Sequence, residues 1–315
     1  MTATIKAPPP DRRRSRGDLE ARPIRRRSLG DLKVALIFLA PATVGFVVFY
    51  IWPTLRGAYL SFTEYSLLSP PEFNGLQNYE RMVQDGFFWN ALVVTVEYVV
   101  INIGLQTVLA VGIAMLMYRL TKSITVRAVV LLPYLVANVV VALVWYWMLD
   151  FQIGIVNQFL GWIGIDPIAF FGESVWGIPT IALINVWRHM GYTALLVFAG
   201  LQTIPTYVYE AAEVDGSTEM KTFWRITLPL LRPVLVMVLV VTIIGSFQIF
   251  DTVAVTTQGG PINATRVIYY YIYERAFTRF DFGYASAMAM VLFALLAIVS
   301  LLQLRLLRAK ESDLA

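Results

Sequence analysis

The chain has no cysteine among its 315 residues and a single histidine, His189. The first absence excludes a disulfide scaffold, thiolate catalysis and a cysteine metal site. The second leaves a histidine-based metal centre without enough ligands. No Gly-Lys pair occurs, so no nucleotide-binding P-loop can be written on this sequence. Charge is scarce: 15% of residues are Asp, Glu, Lys or Arg, against about a quarter in soluble domains. With paired carboxylates also missing, the sequence offers no catalytic constellation and reads as a non-enzyme. The net charge of +4 does not indicate a nucleic-acid partner, because the basic residues sit where membrane topology puts them.

What is present is apolar. Hydrophobic residues make up 58% of the chain and fall in long blocks. Backbone in a bilayer must satisfy its own hydrogen bonds, which leaves helices or a closed barrel. Alternating segments of about ten residues, the mark of barrel strands, are missing, whereas continuous apolar runs of about twenty are present. The expected fold is an all-α membrane protein, a six-helix transmembrane bundle. The spans are expected near Val34–Trp52 (closed by Pro53), Asn90–Met117, Ala128–Leu149 (Pro133 early), Trp176–Leu201, Val234–Phe250 and Ala285–Leu304. Lys and Arg are concentrated in the N-terminal arm, at Arg119, Lys122 and Arg127, at Lys221, Arg225 and Arg232, and at Arg305, Arg308 and Lys310. The positive-inside rule makes that side, with both termini, cytoplasmic in a plasma (inner) membrane.

Residues 1–30 read as a disordered basic cytoplasmic arm that anchors topology on anionic lipid. Arg26-Arg27 faintly resembles a twin-arginine export signal, but the apolar run that follows is too long for one. Residues 31–308 are expected to form the six-span membrane domain, and 309–315 a short cytoplasmic tail. Outside the membrane, residues 153–165 suggest a short interfacial helix. The aromatic-rich stretch 267–283 reads as an interfacial belt in preference to a docking surface.

The most informative segment is 207–229. Tyr207–Val214 contains strong helix formers with Glu210 and Glu213; Asp215-Gly216 then breaks the helix, since glycine allows a turn other residues resist. Ser217 is the expected N-cap of a second short helix, with Glu219 in its first turn, ending before Pro229. Phe223, Trp224 and Ile226 are expected to face apolar material. The result is a helix–turn–helix lever at the membrane surface.

Glu210-Ala211-Ala212, three residues, Gly216, nine residues, Ile226, one residue and Leu228-Pro229 resembles the EAA loop of binding-protein-dependent ABC importer permeases. Phe73-Asn74-Gly75-Leu76-Gln77-Asn78-Tyr79, Gly154-Ile155-Val156-Asn157 and Thr257-Gln258-Gly259-Gly260-Pro261 through Ala287 are similar to the carbohydrate-uptake branch, in particular to the MalF-like half of maltose-type permeases of the MetI-like fold. The resemblance implies a coupling role for Glu210, Ala211, Ala212, Asp215 and Gly216: Glu210 bonds the ATPase, the alanines allow close packing and Gly216 supplies the bend. It implies a second homologous permease subunit, an ATPase dimer that holds ATP and Mg, an extracytoplasmic sugar-binding lipoprotein and a carbohydrate cargo moved by alternating access. This chain itself then carries no cofactor.

Candidates for the substrate path are Asn185, Trp187 and Arg188 on the fourth span and Ser246 and Gln248 on the fifth. Asn185 and Trp187 correspond to substrate contacts in the maltose branch. Arg188 has two open readings: it lines the path, or it pairs with Glu97 between helices, since a charge in a span must face protein or water. His189 reads as a satisfied core residue, Ser246 and Gln248 equally as interhelical hydrogen-bonding groups, and Asp251 as a solvated residue at the outer end. The alternative class is an ion-coupled secondary transporter. Glu97 is its main available intramembrane carboxylate, and no inverted repeat is evident.

Overall fold

The computed structural model describes residues 29–66, 69–121 and 123–306. The basic arm, apart from its last two residues, and the tail 309–315 lie outside the described residues. The chain divides into two units between Thr54 and Leu55.

The first unit holds α1 (Leu29–Phe46), a π turn over Val47–Ile51 and the start of α2 (Trp52–Leu60). The sequence predicts that this span ends at Pro53, but the helical run continues to Leu60. The wider π turn takes the chain past Pro53, whose ring and missing N–H break a regular turn.

The second unit begins with a two-stranded antiparallel ribbon, β1 (Thr63–Ser66) and β2 (Ser69–Phe73), with Thr63 opposite Phe73. It continues through α3 (Gln77–Gln84), α4 (Gly86–Leu120), α5 (Ile124–Leu135), α6 (Asn138–Met148), α7 (Ile155–Trp162) and α8 (Ser174–Leu201). Then come α9 (Thr206–Val214), α10 (Glu219–Thr222), α11 (Leu228–Leu230) and α12 (Arg232–Phe247). Last are α13 (Asp251–Thr256), α14 (Ile268–Tyr273) and α15 (Phe282–Leu306).

Among the described residues, five helical runs are long and apolar enough to cross a membrane; α5 and α6 make a sixth crossing only as a pair bent by 87°. The single third helix expected from the sequence is therefore broken at Val136 and Ala137, both extended. Helices α4 and α8 form the central pair. Ala91, Ala110, Ala114, Ala182 and Ala194 are fully buried, and small side chains of this kind let helices approach closely where lipid supplies no hydrophobic drive. One core cluster joins Tyr98, Ile178, Ile181, Tyr271, Tyr284 and Met288. A second joins Ala114, Val197, Leu201, Leu231 and Val238. Outward positions on α4 such as Val93, Val100 and Val108 are exposed, as suits lipid contact.

The short helix expected at 153–165 is α7. Buried Asn157 fixes it by donating to the carbonyls of Asp150 and Ile168, both at 3.0 Å, and accepting from the Ile168 N–H at 2.9 Å.

Candidate functional site

The hairpin at 206–230 is built on a Schellman stop. Gly216 has φ +68°, the Ser217 N–H donates to the Ala212 carbonyl at 2.9 Å and the Gly216 N–H to that of Glu213 at 3.0 Å. Thr218, not Ser217, is the N-cap of α10; the Ser217 hydroxyl instead accepts from Thr222 Oγ1 at 3.1 Å. The Schellman turn uses Ser217 as its last residue, which moves the cap one position on. Nor does the second arm stop before Pro229: a π turn over Phe223–Thr227 carries it into α11.

One side of this hairpin is rooted in the bundle. Ala212, Thr227 and Leu231 are buried, and Tyr209 lies 6.4 Å from Tyr118 of α4, ring to ring. Arg119 at the end of α4 pairs with Glu219. The other side is open: Glu210, Ala211, Glu213, Asp215 and Gly216 are exposed, with Val214 at 88%. Glu210, Glu213 and Asp215 make no salt bridge among the described residues. Phe223 and Ile226 are half-buried, but Trp224, expected to face apolar material, is 59% exposed.

Farther along the bundle lies a cavity of about 290 Å³, lined from α4, α5, α6, α8, α12 and the start of α13. Asn185, Arg188, Ser246 and Gln248 are on its wall. Trp187 is not. It lies about 200° around α8 from Asn185 at ~100° per residue and packs edge-on against Trp145, 5.5 Å away. Two residues apart on one helix cannot share a face.

The cavity's polar wall is cross-linked. Asn102 Nδ2 donates to Ser246 Oγ at 2.9 Å, and Gln106 Nε2 to Thr193 Oγ1 at 2.8 Å. Asn185 Nδ2 reaches the Ile181 carbonyl at 2.9 Å and Thr252 Oγ1 at 3.1 Å. Asp251 is not simply solvated: it is half-buried and accepts from Asn138 Nδ2 at 3.0 Å. Glu97 is exposed and forms no bridge with Arg188. Arg188 instead donates to the carbonyls of Tyr134 and Val136 at the break between α5 and α6.

The amide donors point into the protein, so acceptors are left over. The Ser246 hydroxyl proton goes to the Thr242 carbonyl at 2.7 Å, which obliges Asn102 to donate. Asn102 Oδ1 and Asn138 Oδ1 are buried without a partner. Asn102, Gln106, Asn138 and Thr193 were not among the residues singled out in the sequence. Asn102 and Gln106 were legible as a polar i, i+4 pair inside an apolar run.

At the end of the bundle away from the hairpin, Asp85 caps α4 and gathers a polar knot. It accepts from Tyr271 at 2.6 Å and Tyr284 at 2.7 Å, and Arg275 donates to the Tyr271 hydroxyl at 2.8 and 3.0 Å. Burial pushes the Asp85 carboxyl up, but hydrogen bonds from Tyr271, Tyr284 and the N–H groups of Phe87 and Phe88 outweigh it and hold it below the usual range. Burial, then the bond to Asp85, push the Tyr271 hydroxyl up to about 12. Part of the aromatic stretch is thus core: Tyr271 is 1% exposed, where the sequence suggested an interfacial belt.

Apolar spans around a polar cavity, one of them broken beside it, with an exposed bent hairpin joining two of the lining helices, define a multi-pass membrane transport subunit. Residues 91–311 match the family described as the binding-protein-dependent transport system inner membrane component. The chain belongs to that family and is the membrane-spanning permease component of such a system. It is 34% identical to the sulfoquinovosyl glycerol transport system permease protein SmoG of Agrobacterium fabrum, over 88% of this chain and 91% of that one. It is 31% identical to the trehalose/maltose transport system permease protein MalF of Thermococcus litoralis, over 89% of this chain and 95% of that one. The fold is shared with a bacterial ABC transporter involved in the import of the acidic polysaccharide alginate, with a TM-score of 0.79, 24% identity and coverage of 90% of this chain and 99% of that one. Nothing in these likenesses supports the ion-coupled alternative.

Proposed function

We propose that this chain is one half of the permease of an ATP-driven importer of carbohydrate. It pairs with a second homologous permease and two ATPase subunits that hold ATP and Mg, and it receives cargo from an extracytoplasmic binding protein. The hairpin and both termini are then cytoplasmic, consistent with the distribution of Lys and Arg. Glu210, Ala211, Ala212, Asp215 and Gly216 form the grip for the ATPase.

The observation that carries this reading is connectivity. Helix α8 runs into the hairpin through Thr206, and the hairpin runs into α12 through Leu231. Both helices line the cavity, so a push on the open hairpin face reaches two of its walls. At the junction α8 and α12 touch closely: a Cβ on Gly200 would meet Val234 Cγ2 at 2.8 Å. The amide and hydroxyl side chains that line the cavity, Asn102, Asn138, Asn185, Ser246 and Gln248, suit a polyhydroxylated cargo, whose hydroxyls both donate and accept. The relatives' names, sulfoquinovosyl glycerol and trehalose/maltose, point to the same broad class. Asn185, Ser246 and Gln248 are the cavity residues proposed to border the path, joined by Asn102 and Asn138.

The test is uptake by the assembled complex, using labelled disaccharide, oligosaccharide, amino sugar, polyol and glycerol phosphate as probes. Glu210→Lys and Gly216→Pro should abolish ATP-dependent uptake while the chain still inserts into the membrane. Wild-type uptake and normal ATPase co-purification in both variants would overturn the proposal.

A further inference from the structure

The break between α5 and α6 is bridged by Arg188, which donates to carbonyls that a straight helix would use. The guanidinium spends four of its five N–H groups on neighbours. Nε donates to the Val136 carbonyl at 3.2 Å, Nη2 to Val136 at 3.1 Å and Tyr134 at 3.3 Å, and Nη1 contacts His189 Nε2 at 2.8 Å. His189 Nδ1 lies 2.9 Å from the Asn185 carbonyl. A carbonyl can only accept, so Nδ1 donates and Nε2 is left to accept from Arg188. The cation also lies over the Tyr134 ring at 5.4 Å, and that ring stacks on Tyr192 at 4.5 Å and 12°.

In a continuous helix the carbonyls of Tyr134 and Val136 would accept from the N–H groups of Asn138 and Val140. These are the carbonyls Arg188 occupies. At the break Arg188 stands in for the N–H partners these carbonyls would have in a straight third span, and it competes with them for the same acceptors. On the near side of the break, α5 is fixed to α8: a Cβ on Gly191 would fall 1.9 Å from the Val130 carbonyl oxygen. On the far side, α6 carries Asn138 into the cavity wall. A swing of α6 about Val136–Ala137 would remake that wall without moving α5.

We infer that Arg188 is a positioning residue that latches the third span in its bent state, and that release of the latch lets the span straighten and reshapes the cavity during transport. The transport consequence rests on the importer reading; the latch itself does not. An arginine inside a span must face protein or water, and here four of its N–H groups are spent on the broken helix and His189, which leaves few donors for a cargo.

The chain's lack of cysteine allows clean spin labelling at Val126 on α5 and Val144 on α6, both exposed. At 1.5 Å per residue, the 87° bend sets their backbone separation at roughly 20 Å and a straight helix at roughly 27 Å. In the full complex in lipid nanodiscs the nucleotide-free wild type should show the shorter distance. Arg188→Met should shift the population toward the longer one, and Arg188→Gln, which keeps donors without charge, should lie between. An unchanged distribution in Arg188→Met overturns the latch. A second variant guards against misfolding. Val140→Pro removes an N–H that the bent state does not bond within the helix but the straight state needs, and Val140 is exposed. It should retain the short distance when combined with Arg188→Met; a long distance in that double variant also overturns the inference. If instead no probe sugar is taken up by the wild type while the distances behave as stated, the importer reading fails and the latch stands.

Discussion

Replacing Gly191 by alanine adds one methyl group to α8 and should damage the protein far more than that addition suggests. The new Cβ would sit 1.9 Å from the Val130 carbonyl oxygen and 2.9 Å from its carbon. Contacts under 3.0 Å are not tolerated, so α5 must retreat by about 1.1 Å at least. Overpacking of this kind costs about 1–3 kcal/mol, and here the obstacle is backbone that no rotamer change can move. The retreat also separates Tyr134 from Tyr192 and pulls the break away from Arg188. Two controls isolate the cause. At Gly112 on α4 a Cβ meets nothing within 4 Å, so alanine there should be neutral or stabilising by up to about 1 kcal/mol. At Gly216 a Cβ also meets nothing, but φ is +68°, so alanine should cost about 1–2 kcal/mol through the backbone alone and leave the bundle intact. Thermal unfolding of the purified protein in detergent, followed by loss of the monodisperse species, should rank Gly191→Ala lowest. Val130→Ala should not rescue it, because the clash is with an oxygen every residue carries. Equal stability of Gly191→Ala and Gly112→Ala, or rescue by Val130→Ala, would refute the contact.

Other expectations follow from the cavity and the Asp85 knot. Asn138→Asp sets a second carboxylate against Asp251, a repulsion on the order of 4 kcal/mol at an effective dielectric of about 20. ATP-driven uptake should fall at least about tenfold, and the swap Asn138→Asp with Asp251→Asn should recover most of it, since the hydrogen bond of 3.0 Å is remade with its partners exchanged. Tyr271→Phe deletes a bond to a carboxylate and should cost about 1.5–3 kcal/mol in unfolding. The Asp85 carboxyl is held below its ordinary value, so its contribution to stability is present above about pH 4 and is lost as pH falls through the lowered value. Tyr271, raised to about 12, contributes below about pH 10 and loses that contribution as pH rises toward about 12. Melting temperatures of the wild type and Asp85→Asn should converge on acidification; parallel curves would count against the knot.

The apolar runs were enough to place the spans, because length and composition decide what can cross a bilayer. The bend of the hairpin was legible for a similar reason: only Gly216 in that stretch accepts a left-handed turn readily. The broken third span was not legible. Pro133 is the local helix breaker in that run, but the helix passes through it and breaks at Val136–Ala137, two apolar residues with no local reason to be extended. The reason lies 52 residues away in Arg188, and a non-local hydrogen bond leaves no periodicity to read. The ribbon at 63–73 was hidden because Pro70 and Pro71 argue against a strand; an edge strand of a two-stranded ribbon tolerates them. Trp187 is the opposite case. Helical geometry alone puts it on a different face from Asn185, so the 3.6-residue period, applied strictly to the fourth span, already excludes one of the pair from a shared path.

The distribution of close contacts also suggests how the molecule can be stiff and mobile at once. Helices α4 and α8 meet through alanines with no exposed surface, and packed interfaces of that kind do not slide without losing dispersion contacts along their whole length. The α5–α6 break, by contrast, is held by hydrogen bonds whose acceptors have a ready second set of partners, the N–H groups of Asn138 and Val140. Arg188 thus gives the Tyr134 and Val136 carbonyls donors in the bent state, where an unpaired carbonyl in the membrane costs several kcal/mol. The hairpin bends at a glycine and bears on the foot of α8 and α12 through Leu231. Motion delivered there meets a rigid central pair and is directed to the α5–α6 crossing, where the Tyr134 and Val136 carbonyls can change partners.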